Sequence, residues 1–472
     1  MKKNIFYILA PALLIILGFL LKNDKQIIAE YPPMGWNSFD SYGVYLHEEA
    51  AMKNLEAMAQ KLKPHGYEYF VIDAGWFGEF QLQEGTIYPA EKHASKLNMN
   101  EYGLLQASEC YFPNGLKPII DRCHELGLKF GIHLMRGIPR EAVRRNTPVK
   151  GTSYFASDIA DTTSICSWNH QNYGVDMTKP GAQEFYNSLI NQMAEWGVDF
   201  LKYDDIVPFP KEVEAVSKAI KQSGRPILFS LSPGGNVDEN AIDFFKKGNM
   251  LRVTKDIWDE QKGIDQCFAA WKKWQGNEEP GFWIDMDMIP FGQLQLMAPK
   301  PKEIEDDLTE DDVKFKQKSG ELTNIELLAG KGWTRWSEFS KDQMYTFITL
   351  RALSASPLMM GGDLPTLDEF SLKLITNKEM LECNQNGVMG SLVHDKDDIE
   401  IWLTPETKSK GGWIGVFNRS DTQKAITLTS EAMGINTSNY LLRDIWNNIS
   451  LSLDNVYDIA ANGVIFVRYS KI

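Results

Sequence analysis

Eight short apolar runs, separated by stretches of helical period, constrain this 472-residue chain more than any other feature. Met34–Phe39, Tyr69–Asp73, Lys129–His133, Phe200–Asp204, Ile227–Leu231, Leu251–Val253, Phe282–Asp285 and the stretch near Leu353–Leu358 read as strands. Between them, Glu48–Lys63 and Ala182–Trp196 place apolar residues at helical spacing, and Lys211–Gln222 begins just after Pro208 and Pro210. Strands alternating with crossover helices build a parallel sheet, and eight such units close into a (β/α)8 TIM barrel. Polar residues recur where these runs end: Trp36 and Asn37, Asp73, His133, Asp204, Ser232, Arg252, Asp285 and Asp287. A barrel gathers strand ends around one mouth, so these side chains are expected to converge there. A single strand-end Asp taken alone is as often a helix N-cap as a catalyst.

From about Asn384 the pattern changes to short alternating strands: Ile399–Leu403, Trp413–Asn418, Ala425–Thr429, Leu442–Trp446 and Val464–Tyr469. Turn clusters such as Ser409-Lys410-Gly411-Gly412 separate them, as in an antiparallel β-sandwich. The expected organisation is a leader over 1–29, a catalytic barrel over 30–383 and a C-terminal β-sandwich over 384–472. Lys- and acid-rich residues between Met297 and Gly332 read as a surface insertion near the mouth.

The chemistry is carried by acids. Asp204 ends an apolar strand beside Lys202, whose charge favours an ionised carboxylate, the form a nucleophile needs. Asp256 follows the next strand but one, and paired acids at a barrel mouth suggest glycoside hydrolysis. Asp204 with Asp205 as a divalent-metal pair is the competing reading, opposed by the cations Lys202 and Arg252. No cofactor or metal motif is present in the sequence. A net charge of −14 opposes nucleic-acid binding, which needs a basic face.

Five blocks in order carry a resemblance: Met34-Gly35-Trp36-Asn37-Ser38-Phe39, Val71-Ile72-Asp73, Phe200-Leu201-Lys202-Tyr203-Asp204, Arg252-Val253-Thr254-Lys255-Asp256-Ile257 and Trp283-Ile284-Asp285-Met286-Asp287-Met288. Together they resemble the α-galactosidase (melibiase) family, glycoside hydrolase family 27. The resemblance implies a retaining exo-acting α-glycosidase, with terminal α-D-galactosides of plant or host glycans as substrates. It implies Asp204 as nucleophile and Asp256 as the acid/base that carries a proton to the leaving oxygen. It also implies that Trp36 stacks on the sugar and that Asp73 accepts hydroxyl hydrogen bonds. Lys202, Arg252 and Asp287 then complete the pocket with His133, which itself reads as either a hydroxyl ligand or a core histidine.

Departures from the family pattern lie at the sugar. Two adjacent acids grip O4 and O6 of galactose in the family; the second is Ala74 here, and the family's Cys-Glu pair after the fifth strand, near the 2-hydroxyl, is replaced by Ser230-Leu231-Ser232-Pro233-Gly234. The cysteine usual after the nucleophile is Ile206, and His133 stands where the family more often has Tyr. These changes leave open a relative of other specificity, an isomalto-dextranase-like α-glucan hydrolase or a β-L-arabinopyranosidase. A non-catalytic carbohydrate-binding barrel is the alternative outside enzymes. Arg136 and Arg140 read as solvated or as ligands for an anionic substrate.

Lys2 and Lys3 followed by apolar residues from Ile5 to Leu21 have the layout of a signal peptide. Export to the periplasm or beyond is the expectation; without a small-x-small cleavage site near Leu21, an uncleaved segment would instead hold the protein to a membrane. Five scattered cysteines rule out a disulfide-built scaffold and leave at least one thiol free within a single chain. Oligomeric state is not encoded in any of these features.

Overall fold

The computed structural model describes residues 27–79, 96–232, 237–296, 334–435 and 440–472. The N-terminal apolar leader and the 297–332 insertion therefore lie outside the described residues. Eight strands form one parallel sheet: β1 (Met34–Asn37), β2 (Tyr69–Ile72), β3 (Lys129–Met135), β4 (Phe200–Asp204), β5 (Leu228–Leu231), β6 (Met250–Arg252), β7 (Trp283–Asp285) and β8 (Leu358–Met360). Their order is β7-β6-β5-β4-β3-β2-β1-β8, and Ile289, just past β7, bridges Met360 of β8 in parallel. The sheet thus curls shut as the expected (β/α)8 barrel.

The last strand corrects the sequence reading. Leu353 ends a helix over Lys341–Leu353, and the strand begins only at Leu358. That helix is buried nearly all round, so its apolar run has the same pattern a buried strand would show.

Alternation along the barrel strands sends one set of side chains inward. Tyr69, Val71, Phe200, Leu228, Met250, Met288 and Met359 fill the barrel, and Ile28 and Ala29 pack against this cluster. The Ala29 carbonyl accepts hydrogen bonds from Trp283 Nε1 at 2.7 Å and from the Gly281 amide at 2.9 Å. Both donors sit at the start of β7, so the incoming chain closes the floor, opposite the polar strand ends.

The C-terminal unit contains more strands than its sequence suggested. Described strands are β9 (Ser391–Lys396), β10 (Ile399–Pro405), β11 (Gly412–Asn418), β12 (Lys424–Thr427), β13 (Tyr440–Asp444), β14 (Ile449–Leu451), β15 (Val456–Ile459) and β16 (Val464–Lys471). Six form an antiparallel sheet, β9-β10-β11-β16-β13-β14, and β12 pairs with β15. Ile399, Ile401, Ile414, Val416 and Val467 share one buried cluster with Leu428 and Ile459, joining the two sheets. Intervening residues Trp402, Trp413, Phe417 and Phe466 belong instead to the barrel's core, as period-two alternation requires. Trp402 stacks on Trp271 of the barrel helix Gln261–Trp274 at 3.7 Å between ring centroids. Rings this close, with the rest of the face, tie the sandwich to the side of the barrel.

Candidate active site

Strand register brings the acids together. β3 and β4 pair with His133 beside Lys202 and Met135 beside Asp204; Arg252 on β6 pairs with Asp285 on β7. Asp204 ends β4, and its carbonyl accepts the Arg136 amide at 2.9 Å, continuing the ladder past the strand end. Its carboxylate has an asymmetric environment. Oδ2 lies 2.9 Å from His133 Nε2, whereas Oδ1 is buried without a hydrogen-bond partner. Burial works to raise the Asp204 pKa, but the charges of Lys202 and His133 and the His133 hydrogen bond outweigh it and hold the carboxyl far below the usual range.

Lys202 makes its direct ion pair elsewhere. Its Nζ donates to Asp73 Oδ2 at 2.8 Å, and the ammonium influences Asp204 through charge alone. Burial would lower the Lys202 pKa, but Asp73 and Asp204 reverse that and keep the ammonium charged. Asp73 is almost fully enclosed: Oδ2 also accepts Asn37 Nδ2 at 2.7 Å, and Oδ1 accepts the Ala74 amide at 2.8 Å. Here too burial works upward on the pKa, and Lys202 and His133 carry it below the usual value. One of the roughly four lone-pair positions remains for a sugar hydroxyl.

Across the mouth, Arg252 grips two acids. Nη1 donates to Asp287 Oδ1 at 3.1 Å and Nη2 to Asp256 Oδ1 at 2.7 Å, while Nε is buried with no partner. Asp287 Oδ2 accepts the Ile257 amide at 2.8 Å, fixing the turn that carries Asp256. The two candidate catalytic acids differ in solvation: the Asp256 side chain is 66% exposed and that of Asp204 only 13%. Beneath the strand ends a narrow cavity inside the barrel is lined by Asn37, Lys202, Ser230, Ser232, Arg252 and Asp285 above the apolar side chains of Phe200, Met250 and Met359; neither candidate acid lines it. Ser232 Oγ is buried there without a partner. Unpaired buried donors beside a cavity suit hydroxyl recognition, since each is costly until a ligand satisfies it.

Trp36 does not take its expected place. It is fully buried, stacks on Phe70 at 4.8 Å and donates Nε1 to Gly362 O at 2.9 Å, so neither ring face is open to a sugar. It packs the barrel wall between neighbouring strands. His133 is 1% exposed and bonds the nucleophile candidate instead of reaching the open mouth.

The sequence reading missed a brace behind Asp204. Arg136 is buried, not solvated: Nε donates to Asp205 Oδ2 at 3.0 Å, Nη1 to Glu212 Oε1 at 2.7 Å, and the guanidinium lies 3.5 Å from the Phe209 ring centroid. Tyr186 donates to the other Glu212 oxygen. Asp205 has a φ of 62° and Asp287 one of 76°, left-handed conformations that Asp tolerates better than most residues. Such outliers cluster at functional sites, where surrounding contacts hold them. All five cysteines are free, so this ionic network, not a disulfide, braces the chain behind Asp204. Among the described residues, no group of three or more His, Cys, Asp or Glu could hold a metal ion.

Proteins of known family resemble this chain over most of its length. The melibiase family model matches residues 30–224, and a second model, described as alpha galactosidase A, matches 168–303. Alpha-galactosidase 2 of Arabidopsis thaliana is 27% identical over 433 residues, covering 90% of this chain and 85% of its own. Alpha-galactosidase A of Cellvibrio japonicus is 26% identical, covering 98% and 97%. The crystal structure of a family 27 β-L-arabinopyranosidase from Geobacillus stearothermophilus superposes with a TM-score of 0.81 at 36% identity, covering 94% of this chain and 97% of that one. With five ordered motifs, a closed barrel bearing paired acids and these matches, the chain belongs to the melibiase family, glycoside hydrolase family 27.

Proposed function

We propose that this glycoside hydrolase is a retaining exo-enzyme that removes terminal α-D-galactosyl groups from oligosaccharides. The observation that carries the reading is the contrast between the two acids. Asp204 is buried, ionised and bare at Oδ1, whereas Asp256 sits at the solvated rim in reach of a leaving group. In the first step the Asp204 carboxylate attacks the anomeric carbon, the glycosidic C–O bond breaks, and Asp256 passes its proton to the departing oxygen. In the second, Asp256 takes a proton from water, the water oxygen bonds the anomeric carbon, and the electron pair of the bond between that carbon and Asp204 returns to the carboxylate. Lys202 and Arg252 offset the negative charge of the site throughout.

Ala74 favours a second reading. β-L-Arabinopyranose has the galacto configuration without the exocyclic carbon, so a site lacking the acid that grips O6 forfeits less on it. The Geobacillus neighbour supports that alternative. Comparing kcat/KM on aryl α-D-galactoside and aryl β-L-arabinopyranoside, with the product anomer followed by NMR, tests both. Turnover of neither glycoside, or an inverted product, refutes the proposal. Export is part of it: the basic start and apolar segment of residues 1–21 support delivery to the periplasm or beyond, which fractionation of cells expressing the full chain checks.

A further inference from the structure

We infer that His133 is a positioning residue that holds the Asp204 carboxylate in one orientation toward the sugar and stabilises that carboxylate as it departs. This rests on the retaining reading above. Among the described residues, the His133 Nε2 contact at 2.9 Å to Oδ2 is the one hydrogen bond made by this carboxylate. A carboxylate held at one oxygen can rotate little, so this bond sets how Asp204 faces the anomeric carbon. Lys202 cannot serve this purpose, because its Nζ is committed to Asp73 Oδ2 at 2.8 Å. His133 is nine-tenths or more buried, and its Nδ1 has no partner. Since Asp204 is ionised and can only accept, Nε2 is the donor of this bond and its proton points at Oδ2.

The two chemical steps then weigh differently on this bond. Attack turns the anion into a neutral glycosyl ester, whose oxygen facing Nε2–H accepts a weaker hydrogen bond than the anion did. When water displaces Asp204, the negative charge returns to both oxygens and the bond strengthens again. His133 therefore lowers the barrier to release of the carboxylate, so its loss slows the second step more than the first.

The test uses the full chain with an aryl glycoside that the wild-type enzyme hydrolyses. His133→Phe removes the donor; His133→Gln and His133→Tyr restore one. Expected for His133→Phe is a fall in kcat of roughly tenfold to a hundredfold, the worth of a hydrogen bond to a charged group. KM falls with it, because the ester accumulates, and the pre-steady-state burst of phenol exceeds that of wild type. At least one of the two donor variants regains most of kcat. A merely structural histidine would lower kcat without lowering KM or enlarging the burst, and that result overturns the inference. So does unchanged kinetics in a His133→Phe protein with a wild-type melting temperature. A wild-type enzyme that turns over no glycoside overturns the retaining reading and this inference together; the other adverse outcomes overturn this inference alone.

Discussion

Asp285 links the stability of this protein to pH in a direction opposite to most carboxylates. It ends β7 nearly buried, and its Oδ1 accepts the Asp287 amide at 2.9 Å. Burial, then the charge of Asp287, raise its pKa, and Arg351 and Arg252 oppose this without cancelling it, leaving the group pushed up to about 6. The unfolded chain titrates near 3.9. Because the folded pKa is the higher, the native state holds this proton more tightly. Asp285 therefore contributes stability fully present below about pH 4 and lost as pH rises through 6. A displacement of about two units corresponds to about 3 kcal/mol. Asp285→Asn keeps the Oδ1 acceptor and removes the titration. Whatever constant offset the substitution brings, the stability difference between variant and wild type should shift in the variant's favour by up to about 3 kcal/mol between pH 4 and pH 7.5. Chemical denaturation midpoints at half-unit pH intervals measure it, since all other titrating groups are common to both proteins. A difference that stays flat with pH, or moves in favour of wild type as pH rises, refutes the reasoning.

Other consequences are open to direct measurement. Asp204→Asn should lower kcat by roughly 10⁴-fold or more, whereas Asp256→Ala should lose about 10²–10⁴-fold and recover with azide on aryl glycosides that have good leaving groups. Steady-state kinetics with product analysis checks both, and rescue of Asp204→Asn by azide to an unchanged anomer would contradict the assignment. Arg136→Met strands Asp205 and Glu212 without their cation, so about 3–5 kcal/mol of stability should be lost, read as a lower denaturant midpoint. Ala74→Asp restores the second acid, and the ratio of kcat/KM for α-galactoside over β-L-arabinopyranoside should rise by about 10- to 100-fold. An unmoved ratio would separate residue 74 from sugar choice.

The barrel was legible because its signals are local. β4 falls where the apolar run Phe200–Asp204 places it, and six more of the runs differ from the observed strands only at their ends. The eighth was misplaced because Leu353 and Leu358 lie in one apolar stretch whose first part is a helix buried on all sides. The acids of the site were legible for the same reason, each at the end of a recognisable strand or within four residues beyond it. Contacts across the fold were not. Trp36 at a strand end looks the same whether it faces a sugar or Phe70. Arg136 belongs to a residue type rarely buried, and its partner Glu212 lies 76 positions away on a helix. His133 offered two readings, and only the pairing of β3 with β4 resolves them by setting its ring against Asp204.

The floor of the barrel determines how the enzyme faces its surroundings. Ile28 and Ala29 pack beneath the inward side chains, and the Ala29 carbonyl is anchored at the start of β7, the end remote from Asp204 and Asp256. Anything joined ahead of residue 27 is consequently attached at the molecule's back. A lipid tether, a fused carrier or a bead coupled there would present the catalytic opening outward, leaving long or branched chains free to approach.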